Sequence, residues 1–191
     1  MKNYLKLLFI IFLFSQCEVS NYVKYGATSA KFKIRNDTAY VHGILGKKAY
    51  HRLENLIDKN PQLKTLTLLD VPGSIDDDYN IKSCYLINDK KLNTHLTSKS
   101  IIASGGVDFF LAGQQRSIEQ GAKVGVHSWS DGFEDGANIA REDSSHHLFL
   151  DFYKNINIDS SFYWFTLQSA SADSIHWLTY DEMIRYGVIK N

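Results

Sequence analysis

The sequence predicts a single α/β domain in which a parallel or mixed sheet is covered by helices. Two observations support this fold class. Short apolar runs typical of strands alternate with segments whose apolar residues recur at helical spacing. The chain also has 191 residues, of which 44% are hydrophobic, so it can bury one sizeable core. We place this domain at residues 31–191.

Local patterns predict the elements of the first half in order. We predict strands over residues 31–34, 39–44 and 66–70, and helices over residues 49–58 and 76–87. The apolar residues of the first helix share one face, and Asn60-Pro61 ends it because proline cannot continue a helix. Asp76, Asp77 and Asp78 open the second helix, where acidic side chains interact favourably with the helix dipole.

The second half continues the alternation of strands and helices. We predict short strands near residues 93–96 and at 100–103, a compact apolar helix over 107–112 and a strand over 123–127. Helices dominate from Arg141 onward. This order favours a sheet with helices packed on it rather than a purely helical or purely β fold.

Charge and ligand spacing exclude several classes of function. Lysine plus arginine and aspartate plus glutamate number 21 each, so no global field attracts nucleic acid or an anionic membrane. His146 and His147 are adjacent rather than four residues apart. The run from Asp76 to Asp78 lacks the glycine and glutamate spacing of a calcium loop. We therefore predict no nucleic-acid partner, no metal site and no cofactor.

The N-terminus has the pattern of a secretory signal. Lys2 and Lys6 flank the start of the apolar stretch 7–14, and the sequence turns polar at Ser15-Gln16-Cys17. The stretch is shorter than the roughly 20 residues that a membrane span needs. We predict a signal peptide over 1–17 and a tether over 18–30, with export to the periplasm or cell envelope. A lipid on Cys17, a soluble exported form and an uncleaved anchor all stay open, and the membrane is contacted only through the signal or the lipid.

A serine and a histidine suggest nucleophilic catalysis. Ser104 lies in Ala103-Ser104-Gly105-Gly106 at the start of a buried helix, and His127 ends the later segment Gly125-Val126-His127. A neutral imidazole can accept the proton of a serine hydroxyl, and the turn at Pro72-Gly73-Ser74 can present N–H groups to an oxyanion. Two simpler interpretations stay open, namely Ser104 as a helix N-cap and His127 as a core histidine with satisfied hydrogen bonds.

These motifs resemble the proteolytic subunit of Clp protease, and more closely its exported, ATPase-independent relatives in the ClpP/crotonase superfamily. The resemblance spans roughly residues 34–191 and includes the final Tyr186-Gly187, which follows a short strand and helix. It implies a spiral of β-β-α units, with Ser104 at a helix N-terminus and His127 on the next strand. It also implies a homo-oligomer, because the oligomers of the family are ring-shaped.

The resemblance assigns the remaining site residues. The backbone N–H groups of Gly105 and of the turn at Gly73 and Ser74 would form the oxyanion hole. Ser74 replaces a glycine of the family's turn, and serine is strained there if the position needs a positive φ. The aspartate of the family falls at Ile175, so we predict that Asp173 replaces it, the alternative being a Ser/His dyad.

The sequence as a whole predicts an exported serine hydrolase. We expect a peptidase that acts on peptide or ester substrates through an acyl-enzyme and needs no cofactor. Two alternatives stay open. One is a catalytically inactive binding or scaffold protein of the cell envelope, which the missing family aspartate favours. The other is a crotonase-like enzyme acting on acyl-CoA.

Overall fold

The computed structural model of the protein describes residues 29–189. Within this range the chain forms a single α/β domain, as predicted. The strands are β1 (Lys31–Arg35), β2 (Thr38–His42), β3 (Thr65–Val71), β4 (Asn93–Ala103), β5 (Arg116–Ile118), β6 (Lys123–Val126) and β7 (His176–Trp177). The α-helices are α1 (Lys47–Lys59), α2 (Asp77–Asp89), α3 (Gly105–Leu111), α4 (His147–Asn155), α5 (Ser160–Ser169) and α6 (Tyr180–Arg185), with short 3₁₀ turns at Gly136–Asn138 and Ser144–His146.

The strands form one mixed sheet in the order β1-β2-β3-β4-β6-β7, and β5 pairs with β4 beside this path. β2, β3, β4 and β6 run parallel, while β1 and β7 are antiparallel additions at the two ends. Parallel neighbours require crossover connections, and α1, α2 and α3 supply them. The predicted class of sheet is therefore confirmed.

β4 is one bent strand where two short strands were predicted. Its first part pairs with β5 and its last part with β6, and the register against β3 shifts between Leu68 and Asp70. Ser100 holds the bend, because its hydroxyl donates to the Leu68 carbonyl at 2.5 Å and accepts the Thr97 N–H at 2.9 Å. The polar residues 97–100, which separate the two predicted strands in the sequence, are thus a bulge rather than a loop between strands.

Two boundaries near the site differ from prediction. α3 begins at Gly105, two positions earlier than predicted, and β6 ends at Val126, so His127 lies just beyond its strand. The three-residue strand β5 was not predicted at all. It contains Arg116, whose guanidinium donates to the carbonyls of Gly187 and Val188, each at 2.9 Å, and so ties the C-terminal end to the sheet.

The predicted signal peptide and nearly all of the tether lie outside the described residues. Only Ser29 and Ala30 of the tether are described, and Ala30 is fully buried with its N–H donating to Ile44 at 2.7 Å. No helix in residues 29–189 is long and apolar enough to cross a membrane. Export and the lipid on Cys17 stay predictions.

Candidate active site

Three segments meet at the carboxyl edge of the parallel strands. The Pro72-Gly73-Ser74 turn follows β3, Ser104 follows β4, and His127 follows β6. Neighbouring parallel strands place the residues after their carboxyl ends side by side, and such edges are where open α/β sheets bind ligands. Ser104 and His127 line one cleft with about 440 Å³ of empty space, part of it open to solvent.

Ser104 occupies a backbone conformation that serine rarely adopts. Its φ is 52° and its ψ is −131°, at the position directly before α3. A helix N-cap instead has extended dihedrals and a side chain that accepts a helical N–H, and Ser104 makes no such bond. The simple N-cap interpretation therefore fails. A strained, non-glycine residue whose hydroxyl faces a cleft is typical of a functional position.

The two glycines after Ser104 allow α3 to begin against other backbone. A Cβ on Gly106 would lie 2.4 Å from the Val71 carbonyl oxygen. A Cβ on Gly105 would lie 2.7 Å from both Asn80 Nδ2 and Ser74 Oγ. Glycine is thus the residue that fits at both positions, and the reason is steric. All seven residues of α3 are buried, so Ser104 directly precedes a firmly packed helix.

The geometry around the turn suits an oxyanion hole. Gly73 has φ of 148° and lies so close that a Cβ there would be 3.1 Å from Ser104 Cβ. Ser74 does not have a positive φ, so the serine in place of the family's glycine carries no strain of that kind. Within the described residues, the N–H groups of Gly73, Ser74 and Gly105 have no backbone acceptor. The dipole of α3 adds to their positive potential.

His127 is half-buried and lines the same cleft as Ser104. No hydrogen bond joins its ring to Ser104, and its buried Nδ1 has no partner among the described residues. Burial lowers the pKa of His127, with a partial offset from the Ser128 backbone and the charge of Asp135. The ring is therefore neutral at pH 7, which is the form that a general base requires.

The structure does not bring Asp173 to His127. Asp173 lies in an exposed loop, and its carboxylate accepts the Ser171 hydroxyl at 2.6 Å. The carboxylate whose charge acts on His127 is Asp135, a residue that the sequence did not predict for the site. Asp135 accepts the N–H of Ala137 at 2.9 Å and that of Ala172 at 3.1 Å.

The ionisation of Asp135 fits that position. Partial burial raises its pKa, but hydrogen bonds from Ser128, Ala137 and Ala172 and the charge of His127 outweigh that effect, so the net pKa is lowered. Asp135 is ionised at neutral pH. Its only sequence signal is an acidic residue in the glycine-containing loop after His127, and that signal is too common to identify a partner.

Acidic and aromatic side chains also line the cleft. They are Asp77, Asp108, Trp129, Phe149, Tyr153 and Tyr163. Trp129 Nε1 donates to the Tyr163 hydroxyl at 2.8 Å, which also contacts His146 Nδ1 at 2.7 Å. His146 is thus held in a buried aromatic network, and residues 29–189 contain no cluster of three or more side chains that could hold a metal.

Solved structures with similar folds include proteases and an acyl-CoA enzyme. The membrane-bound stomatin-specific protease 1510-N, solved as a mutant with a substrate peptide, has a TM-score of 0.55 and 18% identity over 80% of this chain and 72% of that one. A mutant ClpP1 from Listeria monocytogenes has a TM-score of 0.52 and 15% identity over 81% of this chain and 89% of that one. Methylmalonyl-CoA decarboxylase has a TM-score of 0.53 and 10% identity over 85% and 66% of the two chains.

Comparison of the sequence with known proteins gave no match. No protein-family model and no curated protein matches the chain. At the identities of the structural neighbours, the similarity concerns the fold. The sheet order, the serine-bearing turn into α3 and these neighbours together show that the chain has the fold of the ClpP/crotonase superfamily, as the motifs around Ser104 and His127 predicted.

Proposed function

We propose that the protein is an exported serine hydrolase of the peptidase type, with Ser104 as nucleophile and His127 as general base. The observation that carries the proposal is the strained, uncapped Ser104 at the N-terminus of α3, facing the cleft that His127 also lines. The protease neighbours support the same type of chemistry on this fold. Export rests on the N-terminal sequence pattern alone.

The proposed reaction proceeds through an acyl-enzyme. Ser104 Oγ attacks the carbonyl carbon of a peptide or ester, and its proton passes to the neutral His127 ring. The oxyanion accepts hydrogen bonds from the backbone N–H groups of Gly105 and of the Gly73-Ser74 turn. The carbonyl then reforms, and the leaving amine or alcohol takes the proton from His127. Water attacks the acyl-enzyme with His127 again as base, and the second collapse returns the proton to Ser104 Oγ.

Two observations favour the alternatives. The absence of a Ser104–His127 hydrogen bond and the unpartnered Nδ1 fit an inactive scaffold, although such bonds are often long before substrate binds. The decarboxylase neighbour fits an acyl-CoA enzyme, whose thioester oxygen would use the same N–H groups. A burst assay with p-nitrophenyl acetate separates the hydrolase from both alternatives. A serine hydrolase whose deacylation is the slow step releases one nitrophenolate per active chain before the steady state, whereas a scaffold and a crotonase-like enzyme show no burst.

Asp135→Asn should lower kcat about 10- to 100-fold, because the substituted amide no longer stabilises the imidazolium that forms during proton transfer. Ala137 and Ala172 donate to different carboxylate oxygens, so the amide oxygen keeps one of these bonds and loses the other. The circular dichroism spectrum and melting temperature of the variant show whether the loop persists. The matched variant Asp173→Asn should stay within about threefold of wild type, less than ~1 kcal/mol of barrier. A steep loss of kcat in Asp173→Asn, with little loss of kcat in Asp135→Asn, would show that Asp173 rather than Asp135 acts on His127.

The acid limb of the pH profile should have its midpoint below the ordinary histidine value of 6.5, because burial lowers the pKa of His127. The rate falls as pH drops through that midpoint, since protonated imidazole cannot accept a proton. The measurement is kcat/KM with an uncharged ester. In Asp135→Asn the midpoint should move further toward acid, because a charge that raises the pKa of His127 is gone. A wild-type midpoint above pH 6.5 would contradict the role of His127 as a buried base. A midpoint that does not move in Asp135→Asn would contradict the interaction of Asp135 with His127.

A further inference from the structure

Asp108 is a buried carboxyl group that the proposed reaction does not use. Its side chain is only 6% exposed and lines the cleft one helical turn after Ser104. Among the described residues its sole hydrogen bond comes from the Tyr153 hydroxyl, which donates to Oδ1 at 2.6 Å. The second oxygen, Oδ2, makes no hydrogen bond with the described residues and is not one of their fully buried unpartnered atoms. When ionised, this carboxyl can therefore accept a hydrogen bond from a donor in the cleft.

The charges around Asp108 show which kind of donor is missing. Asp77 also lines the cleft, accepts the Ser74 hydroxyl and repels Asp108. Burial is the main factor that raises the pKa of Asp108 to about 7, with a further increase from Asp77. Among the described residues that line the cleft there is no lysine or arginine to balance the two acids. His127 is influenced by Asp135 rather than by either of them. The pair thus forms a separate, uncompensated acidic subsite.

The geometry selects among cations. Only one oxygen of Asp108 is available, because Tyr153 occupies the other. A guanidinium binds best through two parallel bonds to both oxygens of one carboxylate, whereas an ammonium is a compact point charge on a long apolar stem. The aromatic wall of Trp129, Phe149 and Tyr163 can pack against such a stem.

The position of Asp108 beside the nucleophile fits a substrate side chain. Ser104 and Asp108 line the same cleft, so a substrate residue whose carbonyl is at Ser104 can direct its side chain toward Asp108. We propose that Asp108, supported by Asp77, forms a subsite for the primary ammonium group of a lysine side chain on the acyl side of the cleaved bond. This inference rests on the proposed hydrolase function and names the substrate class of that site.

Two covalent probes that differ only in the ammonium group test the subsite. Diphenyl phosphonates of lysine and of norleucine react with an active serine when Ser104 Oγ attacks phosphorus and phenoxide leaves. The wild-type protein should react about 10- to 100-fold faster with the lysine probe, the range expected for a charge-assisted hydrogen bond. Equal rates, or a faster norleucine probe, overturn the proposal without any mutation.

Variants then assign the preference to one carboxylate. Asp108→Asn keeps an acceptor for Tyr153 and should react equally with both probes, while its norleucine rate stays within about threefold of wild type. The matched control Asp78→Asn removes one charge from an exposed neighbour of Asp77 and should keep the full preference. If Asp108→Asn still prefers the lysine probe, Asp108 is not the residue that binds the ammonium group. The same conclusion follows if the variant reacts more slowly with both probes to the same extent.

A binding measurement separates this inference from the hydrolase proposal. N-acetyl-lysine amide and N-acetyl-norleucine amide are titrated calorimetrically into Ser104→Ala, which cannot perform the chemistry. Tighter binding of the lysine ligand, lost in Ser104→Ala/Asp108→Asn, supports the subsite even if no probe labels the wild type, an outcome that would count against the hydrolase alone. Equal binding of the two ligands counts against the subsite even if labelling is efficient.

Discussion

Ser104→Ala should abolish hydrolysis of a p-nitrophenyl ester, with kcat reduced by at least about 10⁴-fold. The side chain makes no cap bond, so its loss removes the nucleophile without removing a contact that stabilises the helix. The purified variant should therefore keep the circular dichroism spectrum and melting temperature of the wild type within a few degrees. Retained hydrolysis in a clean preparation would mean that the nucleophile lies elsewhere.

Ser104→Gly is the informative companion to that variant. It is equally inactive in our account, but glycine adopts a φ of 52° without the steric cost that serine has. We expect the free energy of unfolding to rise by about 1 kcal/mol relative to Ser104→Ala. Activity and stability would then oppose each other at one residue, as expected where backbone strain serves function. A less stable glycine variant would show that the strain is not stored there.

Gly106→Ala should have the largest effect on stability. The new methyl group would lie 2.4 Å from the Val71 carbonyl oxygen, and backbone at the end of a central strand cannot move away easily. We expect a loss of about 3 kcal/mol or more in the free energy of unfolding, measured by urea denaturation. Loss of hydrolysis should accompany it, because any relief requires α3 and the Ser104 hydroxyl to shift.

Gly105→Ala provides the matched comparison. Its methyl group would lie 2.7 Å from Asn80 Nδ2 and Ser74 Oγ, which can rotate away, and 2.9 Å from Ser74 Cβ, which moves only with the backbone of the turn. This variant should lose less stability than Gly106→Ala, yet still lose activity because its N–H belongs to the proposed oxyanion hole. Equal stability of wild type and Gly106→Ala would contradict the close approach of α3 to β3.

Much of this fold could be predicted because its signals are local. The acidic start of α2, the apolar runs of β3 and β6, and the glycines around Ser104 each reflect a requirement of the nearby backbone. The bend of β4 could not be predicted in the same way, because it depends on the Ser100 hydroxyl reaching Leu68 on another strand. In the sequence, the polar residues 97–100 resemble a loop between two short strands.

The same division applies to the candidate site. Ser104 and His127 belong to short motifs with recognisable neighbours, and the structure brings both to one cleft. Asp135 and Asp108 have no such motif. Asp135 reaches the site through a loop of irregular structure, and Asp108 lies within an apolar helix where a single acid gives no indication of its partner Tyr153. Those relationships are set by tertiary packing, which spacing in the sequence does not encode.

Covalent labelling decides whether Ser104 is a nucleophile activated by its surroundings. The purified protein is treated with a fluorophosphonate and digested, and the modified residue is located by mass spectrometry. We expect one adduct per chain, on Ser104, which is absent from Ser104→Ala and from heat-unfolded protein. No adduct on the folded wild type, or an adduct on another serine that persists in Ser104→Ala, would contradict the claim and favour the scaffold interpretation.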